Sequence, residues 1–205
     1  MSYLSEMTTL PLMEHFFTIQ GEGFNTGKAC YVLRLGGCDV GCVWCDVKES
    51  WDAAAHPVVS VEEMLNLVKS AKADKVVITG GEPLMYDLTA LTKAFQDASI
   101  KTFLETSGAY PLTGSWDWIC VSPKKFKTPL DDVLLKADEL KVIVFNKSDF
   151  DWAEDHKSKV QSSCKLYLQP EYSVLEKMLP LIIDYVKQHP EWTISLQTHK
   201  VMQIP

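Results

Sequence analysis

Residues 38–45 read Cys-Asp-Val-Gly-Cys-Val-Trp-Cys, which sets three cysteines at a C-x3-C-x2-C spacing. Thiolates are soft ligands that suit zinc and iron–sulfur clusters. An ordinary 4Fe–4S cluster takes four cysteines, and a closed structural zinc site also takes four ligands. Three cysteines with no fourth nearby would therefore leave one metal position open, where a small molecule can bind and react.

The residues around the cysteines leave other interpretations open. Gly36, Gly37 and Gly41 indicate a loop rather than a packed element in which thiols would serve as small apolar groups. An odd number of cysteines argues against a disulfide. A zinc ion completed by Asp46 or by a distant histidine is also compatible with the spacing.

Length and composition predict one domain, residues 1–205, with 46% hydrophobic residues to form its core. The net charge of −7 argues against a general nucleic-acid surface. Residues 1–6 lack the basic and apolar regions of a secretory signal, and no apolar run approaches the ~20 residues of a membrane span. We therefore expect a cytoplasmic protein that binds neither nucleic acid nor membranes.

The three other cysteines and the single arginine lie in apolar segments but have different predicted roles. Cys30, Cys120 and Cys164 lie in or beside apolar, strand-like runs and are expected to pack in the core. Arg34 is the only arginine among twenty basic residues, and it also lies in an apolar strand. Its planar guanidinium suits bidentate binding of a ligand carboxylate, but an internal salt bridge to Glu14 or Glu105 would equally explain it.

Strand-like and helix-like segments alternate along the chain. Strands are predicted at residues 29–35, 75–79, 102–104, 118–121, 140–145, 166–168 and 192–196. Helices are predicted at residues 61–71, 88–98, from about 149, and 174–188. Ser60 and Glu63 form the pattern of a capping box at the start of the first helix. Irregular insertions are predicted at residues 51–57 and 124–129.

This alternation predicts an α/β fold with a parallel sheet. Polar clusters follow the strands, and α/β sheets and barrels bind ligands at that carboxyl edge. Six to seven strands are too few to close an eight-stranded barrel. We therefore expect a partial, open parallel β/α barrel with the cysteine loop over its mouth.

The motifs resemble a known family when they are taken together. The cysteine triad followed by Gly80-Gly81-Glu82-Pro83 resembles the radical S-adenosylmethionine (SAM) superfamily. More narrowly, the chain resembles the 7-carboxy-7-deazaguanine synthase family of queuosine and 7-deazapurine biosynthesis. The matching segments are 18–23, 34, 38–46, 79–83, 105–108, 122–124, 169–170, 197–200 and 204–205.

The resemblance implies a carbon–nitrogen lyase that contracts a ring. Such enzymes convert 6-carboxy-5,6,7,8-tetrahydropterin to 7-carboxy-7-deazaguanine with loss of ammonia. Cys38, Cys42 and Cys45 would hold three irons of a 4Fe–4S cluster, and the fourth iron would bind SAM. A 5′-deoxyadenosyl radical from SAM would take a hydrogen from C6 of the pterin, so the cofactors, rather than catalytic side chains, carry the chemistry.

The resemblance also assigns residues that bind SAM. The backbone of Gly81 and Glu82 would receive the SAM amino group. Ser122, Pro123 and Lys124 would bind SAM, with Ser122 and Lys124 meeting its carboxylate or ribose oxygens. The adenosine side of SAM would be contacted by Gln169, Pro170, Glu171 and Tyr172.

A second set would bind the pterin. Arg34 would bind the substrate carboxylate, and His199 would assist at the same carboxylate. Thr79 would add a contact through its hydroxyl. The main-chain groups of Ile19, Gln20 and Gly21 would meet the pterin edge. The main-chain carboxylate of Pro205 would accept hydrogen bonds from the aminopyrimidine, so a C-terminal extension is expected to weaken substrate binding.

The chain departs from the family pattern at Val47. The family usually has a threonine there, whose hydroxyl helps to bind Mg²⁺ beside the substrate. Valine has no oxygen for a cation that requires oxygen ligands. We therefore expect weak or absent stimulation by Mg²⁺.

The resemblance also implies partners, and two other functions remain as hypotheses. The resemblance implies an electron donor such as flavodoxin and a homodimer. A second hypothesis is an activase that makes a glycyl radical on a partner protein, because such enzymes share the cysteine spacing and the partial barrel. A third is a non-enzymatic iron–sulfur module, which would require a fourth protein ligand.

Overall fold

The computed structural model describes residues 8–205. The expectation for residues 1–6, that they form no secretory signal, lies outside the described residues. Among residues 8–205, no helix has the length and apolar character needed to cross a bilayer.

Within residues 8–205, nine strands form one open sheet. The strands are β1 Thr9–Ile19, β2 Ala29–Leu35, β3 Val58–Ser60, β4 Lys75–Gly80, β5 Lys101–Thr106, β6 Trp118–Val121, β7 Glu139–Val144, β8 Lys165–Pro170 and β9 Trp192–Ile194. Their order in the sheet is β3-β1-β2-β4-β5-β6-β7-β8-β9. The strands from β2 through β9, apart from β3, run parallel to one another, so the predicted open parallel sheet of six to seven strands is confirmed.

Two antiparallel strands were not predicted. Strand β1 pairs with β2 through most of its length, and its first residues pair with the short strand β3. A shift in register between Leu12 and Glu14 interrupts its alternation of buried and exposed residues. Strand β1 therefore forms through pairing with a distant segment rather than through a strong local pattern.

Six α-helices accompany the sheet in the described part of the chain. They are α1 Val61–Ser70, α2 Thr89–Asp97, α3 Asp131–Leu134, α4 Ser148–Lys157, α5 Leu175–Gln188 and α6 Thr198–Met202. The four predicted helices are confirmed, and the hydroxyl of Ser60 accepts a hydrogen bond from the Glu63 backbone at 3.1 Å at the start of α1. The short helices α3 and α6 were not predicted because neither is long enough to show a helical period.

The two faces of the sheet have different chemistry because neighbouring residues of a strand point to opposite faces. One set packs with the helices in the main apolar core, and it includes Leu33, Ile78, Leu104, Leu140 and Leu168. The opposite face carries the next residues along the same strands, namely Arg34, Thr79, Glu105, Lys141 and Gln169, which line a cavity.

The three cysteines outside the triad are buried, as predicted. Cys164 belongs to the main apolar core, and Cys30 packs in a smaller cluster with Val32 and Val77. These cysteines therefore contribute to packing, and only the cysteines of the triad are left for a functional site.

Candidate active site

A cavity of about 290 Å³ opens on the polar face of the sheet, at the carboxyl ends of the parallel strands. This is close to the lower end of the size range of small-molecule sites. Its wall includes Ile19, Gln20, Gly21, Arg34, Cys38, Cys42, Cys45, Thr79, Gly81, Glu82, Ser122, Lys124, Gln169, Pro170, Glu171, Tyr172, His199 and Pro205. The structure thus gathers every residue that the sequence proposed for the site except Pro123, which is buried and does not line the cavity.

The cysteine triad lies on an irregular loop that follows β2. Neighbouring segments hold the start of the loop, because Gly37 N donates to Ser50 O at 2.6 Å and Cys38 N to Trp51 O at 3.2 Å. Cys45 N donates to Cys42 O at 3.1 Å, which turns the loop so that all three thiols reach the cavity. The loop is therefore fixed to the protein at its base.

Three thiolates on one loop are a donor set that fits an iron–sulfur cluster, because thiolates are the usual protein ligands of such clusters. Among residues 8–205, the cluster of ligand atoms that lie within 4.8 Å of one another belongs to Glu154, His189 and Glu191, none of which lines the cavity. Burial raises the pKa of Cys38, and it raises the pKa of Cys42 to about 11, so a metal must displace their protons on binding.

The segment after β4 packs directly on the base of the cysteine loop. Gly81 N donates to Leu35 O and Glu82 N donates to Gly37 O, each at 2.9 Å. A Cβ atom at Gly81 would lie 2.2 Å from Gly37 O and 2.7 Å from Cys38 Cβ. Only glycine allows this approach, so the predicted SAM-binding backbone and the cysteine loop share one fixed geometry.

The side chain of Glu82 anchors this segment rather than facing solvent. Its carboxylate accepts hydrogen bonds from Leu84 N at 3.0 Å, Thr106 Oγ1 at 2.5 Å, Ser107 N at 2.8 Å and Ser107 Oγ at 2.5 Å. The residue is 1% exposed. The sequence suggested only its backbone as a ligand group, and the structure adds this internal role.

Lys124 and Ser122 form a polar pair at the end of β6. The Lys124 ammonium donates to Ser122 O at 2.7 Å and to Ser122 Oγ at 2.6 Å. Burial lowers the pKa of Lys124, and an anionic ligand group beside it would favour the charged ammonium again. The same ammonium lies 5.8 Å from the centre of the Trp44 ring on the cysteine loop.

The end of β8 supplies the opposite wall. Gln169 Oε1 accepts a hydrogen bond from Ser195 Oγ at 2.6 Å, and Glu171 accepts one from Ser173 N at 3.0 Å. Tyr172 lies at the rim with the Lys200 ammonium 3.9 Å from its ring centre. These contacts hold Gln169, Glu171 and Tyr172 in place at the cavity wall.

Arg34 and Thr79 are neighbours on β2 and β4 at the cavity wall. The structure shows the internal ion pair that the sequence left open, since Arg34 Nε lies 2.6 Å from Glu14 Oε1. In the described part of the chain this pair uses Nε, so the terminal nitrogens remain for a ligand. Ion pairing to Glu14 and binding of a carboxylate are therefore compatible functions of one guanidinium.

The last residues of the sequence pack on the segment that follows β1. Gly21 O accepts hydrogen bonds from Thr198 N at 3.0 Å and Thr198 Oγ1 at 2.9 Å. A Cβ atom at Gly21 would lie 2.3 Å from His199 Nδ1, so a larger residue would displace the histidine. Thr18 Oγ1 donates to Pro205 O at 2.9 Å.

Sequence reasoning missed a charged group at the floor of the cavity. Lys141 Nζ lies 2.5 Å from Glu22 Oε2 and 3.7 Å from Glu105 Oε2, and all three residues line the cavity. The available signal was a lysine inside an otherwise apolar strand, which is the same signal that identified Arg34. We name Glu22, Glu105 and Lys141 the floor triad.

The chain matches a family model and close relatives. The model of the Radical SAM superfamily matches residues 32–121. A 7-carboxy-7-deazaguanine synthase from Flavobacterium psychrophilum is 54% identical over 197 residues, covering 96% of this chain and 93% of the relative. A 7-carboxy-7-deazaguanine synthase from Synechocystis sp. is 46% identical over 206 residues, covering 100% of this chain and 99% of the relative.

A solved structure has the same arrangement of chain. The crystal structure of QueE from Escherichia coli superposes with a TM-score of 0.83 at 30% sequence identity. The match covers 93% of this chain and 95% of that chain. The structural similarity thus extends over nearly the whole chain.

Proposed function

Because the chain belongs to the 7-carboxy-7-deazaguanine synthase family of the radical SAM superfamily, we propose that it converts 6-carboxy-5,6,7,8-tetrahydropterin to 7-carboxy-7-deazaguanine with loss of ammonia. The observation that carries this proposal is the single cavity in which three cysteines meet the polar strand ends. The product is a 7-deazapurine, and we assign the enzyme to queuosine biosynthesis.

The residues present fit the cofactors of this reaction. Cys38, Cys42 and Cys45 would hold a 4Fe–4S cluster through their thiolates. The backbone of Gly81 and Glu82 would accept hydrogen bonds from the SAM amino group. Ser122 and Lys124, together with the segment 169–172, would bind its carboxylate and nucleoside parts. When bound, the cluster and SAM supply one-electron radical chemistry.

The other side of the cavity would hold the pterin. Arg34 would bind its carboxylate with the terminal guanidinium nitrogens, and Thr79 would donate or accept beside it. The main chain of Ile19, Gln20 and Gly21 would contact the edge of the ring, and His199 would assist at the carboxylate. Pro205 is part of the same proposal, supported by the Thr18 hydrogen bond that holds its oxygen at the cavity. Together these groups orient the substrate with its carboxylate end fixed.

Replacing Arg34 with lysine is expected to raise the KM for the pterin by about 10- to 100-fold. The physical reason is the loss of a bidentate, charge-assisted pair, which is worth about 1.5–3 kcal/mol. The matched control is Glu14→Gln, which removes the negative charge paired with Nε but leaves the terminal nitrogens of Arg34 unchanged. The measurement is steady-state kinetics with SAM affinity determined separately. An unchanged KM in Arg34→Lys, or an equal rise in the control, would contradict carboxylate binding by Arg34.

Removal of Mg²⁺ by a chelator is expected to change the rate by less than about twofold. Val47 lies on the cavity wall without an oxygen in its side chain, whereas Mg²⁺ requires oxygen ligands in octahedral geometry. The variant Val47→Thr is the matched comparison, and its rate should become more responsive to added Mg²⁺. A large drop of the parent rate in chelator, restored by Mg²⁺, would show this expectation to be wrong.

The proposed activity is tested with anaerobically reconstituted protein. Reductant, SAM and the carboxytetrahydropterin are added, and the deazaguanine product and ammonia are measured by mass spectrometry and a coupled assay. Formation of both from the free pterin, without a partner protein, would support the proposal. SAM cleavage without either product would count against it and favour the activase hypothesis.

Cellular partners and location are also part of the proposal. We infer a one-electron donor such as flavodoxin, a homodimer, and the cytoplasm as the site of action. The first two are supported by family membership alone. The third is supported by the reduced cysteines that cluster assembly requires, since thiols persist in the cytoplasm.

A further inference from the structure

The floor triad places a buried ammonium between two cavity carboxylates. The side chain of Lys141 on β7 is 5% exposed, and its nitrogen is bonded to Glu22 at 2.5 Å. Glu105 lies on the other side, with 3.7 Å between the charged atoms. A buried charge is stable only when it is paired, so the three side chains form one electrostatic unit.

Each carboxylate of the floor triad also accepts a hydrogen bond from a glutamine side chain. Gln197 Nε2 donates to Glu22 Oε1 at 2.8 Å, and Gln20 Nε2 donates to Glu105 Oε1 at 2.9 Å. Lys141 therefore holds one oxygen of each carboxylate while an amide holds the other. This arrangement fixes the orientation of both carboxylates as well as their position.

The charges around the unit support this description. Burial raises the pKa of Glu22, but the charge and hydrogen bond of Lys141, with help from Gln197 and Gln169, bring it to about 2. Burial lowers the pKa of Lys141, but Glu105 and Glu22, and more weakly Cys120 and Glu139, raise it well above its ordinary value. Lys141 thus stays charged and keeps Glu22 charged.

Two further groups near Lys141 are engaged elsewhere. Glu139 accepts hydrogen bonds from Trp118 Nε1 at 3.0 Å and from Phe24 N at 3.3 Å. The Lys124 ammonium is bonded to Ser122. Neither of these contacts replaces the ammonium of Lys141 between Glu22 and Glu105.

We propose that Lys141 is a positioning residue that fixes the Glu22 and Glu105 carboxylates at the cavity floor so that they bind the N–H groups of the substrate. Glu105 supports this, because its side chain is 28% exposed on the cavity wall and offers acceptor oxygens there. An ionised carboxylate is acceptor-only, and a reduced aminopterin presents several N–H donors along one edge. The inference rests on the proposed function for the identity of that ligand.

Three variants test the role. Lys141→Met removes the ammonium, and Lys141→Met/Glu22→Gln removes one charge of each sign so that the buried site stays balanced. Lys101→Met makes the same substitution at an exposed position of β5 and serves as the control. Each is prepared as the reconstituted holoenzyme, and iron content and SAM affinity are measured first.

The expected kinetic result is selective for the pterin. Lys141→Met and the double variant should each raise the pterin KM at least tenfold, with SAM affinity and iron content within twofold of the parent. The control should match the parent. An unchanged pterin KM in the double variant would overturn the proposal, and so would a parallel loss of SAM affinity and iron, because that would indicate a general structural role.

Infrared spectroscopy gives a readout that does not depend on activity. At pH 7, Lys141→Met should show a carboxylic-acid C=O band, because Glu22 loses the charge that keeps it ionised, and the band should be absent from the parent and from the double variant. No band in Lys141→Met would overturn the proposal. Failure of the parent to convert the pterin would instead count against the proposed function, and the infrared comparison would still decide whether Lys141 fixes the carboxylates.

Discussion

Replacement of Cys42 with alanine is expected to abolish product formation, with a loss of more than about a thousandfold in rate. Cys42 is 8% exposed and shares the cavity wall with Cys38 and Cys45. With one thiolate removed, two remain, and the other cysteines are buried away from this cavity. The measurements are iron and sulfide per chain after reconstitution, and 5′-deoxyadenosine released from SAM.

The matched control for this loss is Cys164→Ala. Cys164 is buried in the main apolar core, so its truncation should lower the free energy of unfolding by about 1 kcal/mol and leave iron content unchanged. Full iron content and activity in Cys42→Ala would refute the assignment of the cluster to this loop. Loss of iron in both variants would show that the assay reports general instability instead.

Glu82→Gln is expected to have the second largest effect, by weakening SAM binding at least about tenfold and lowering the free energy of unfolding by about 1–3 kcal/mol. The carboxylate accepts four hydrogen bonds from Leu84, Thr106 and Ser107. A glutamine presents one acceptor oxygen and an NH₂ group that faces donors. At least one buried N–H then lacks an acceptor, and the Gly81 backbone is released from its fixed position.

Calorimetric titration with SAM and denaturant unfolding measure the two effects. Glu63→Gln, at an exposed position of α1, is the control for the change of charge and should leave both values close to those of the parent. A variant Glu82→Gln with parent-like SAM affinity would indicate that the backbone of this segment needs no anchor from its side chain.

The parallel sheet could be predicted from sequence because its strands are continuous apolar runs that end in polar clusters. The segments that became β4 and β7 show this pattern locally, without knowledge of their neighbours. Strand β1 does not, since its pattern of burial is set by β2 and β3 on either side. The family resemblance is confirmed by the relatives, since it depends on motifs rather than on exact element boundaries.

Most residues that the sequence proposed for the site line one cavity, but sequence predicted neither their internal contacts nor the presence of Lys141 among them. The cysteine spacing, the glycine pair and the single arginine can be recognised in the sequence alone. The pairing of Arg34 with Glu14 depends on the antiparallel register between β1 and β2, which sequence did not reveal. Lys141 meets Glu22 and Glu105 because residues on three separate segments point to the same face of the sheet.

The contact of Gly21 with Thr198 joins segments 177 residues apart in the chain. During synthesis, residues 8–30 leave the ribosome long before α6 does, and β1 pairs with β2, the next strand along the chain. The nascent polypeptide can therefore pair its early strands while one wall of the cavity is still missing. The ligand cavity is therefore complete only after α6 has left the ribosome and packed against Gly21.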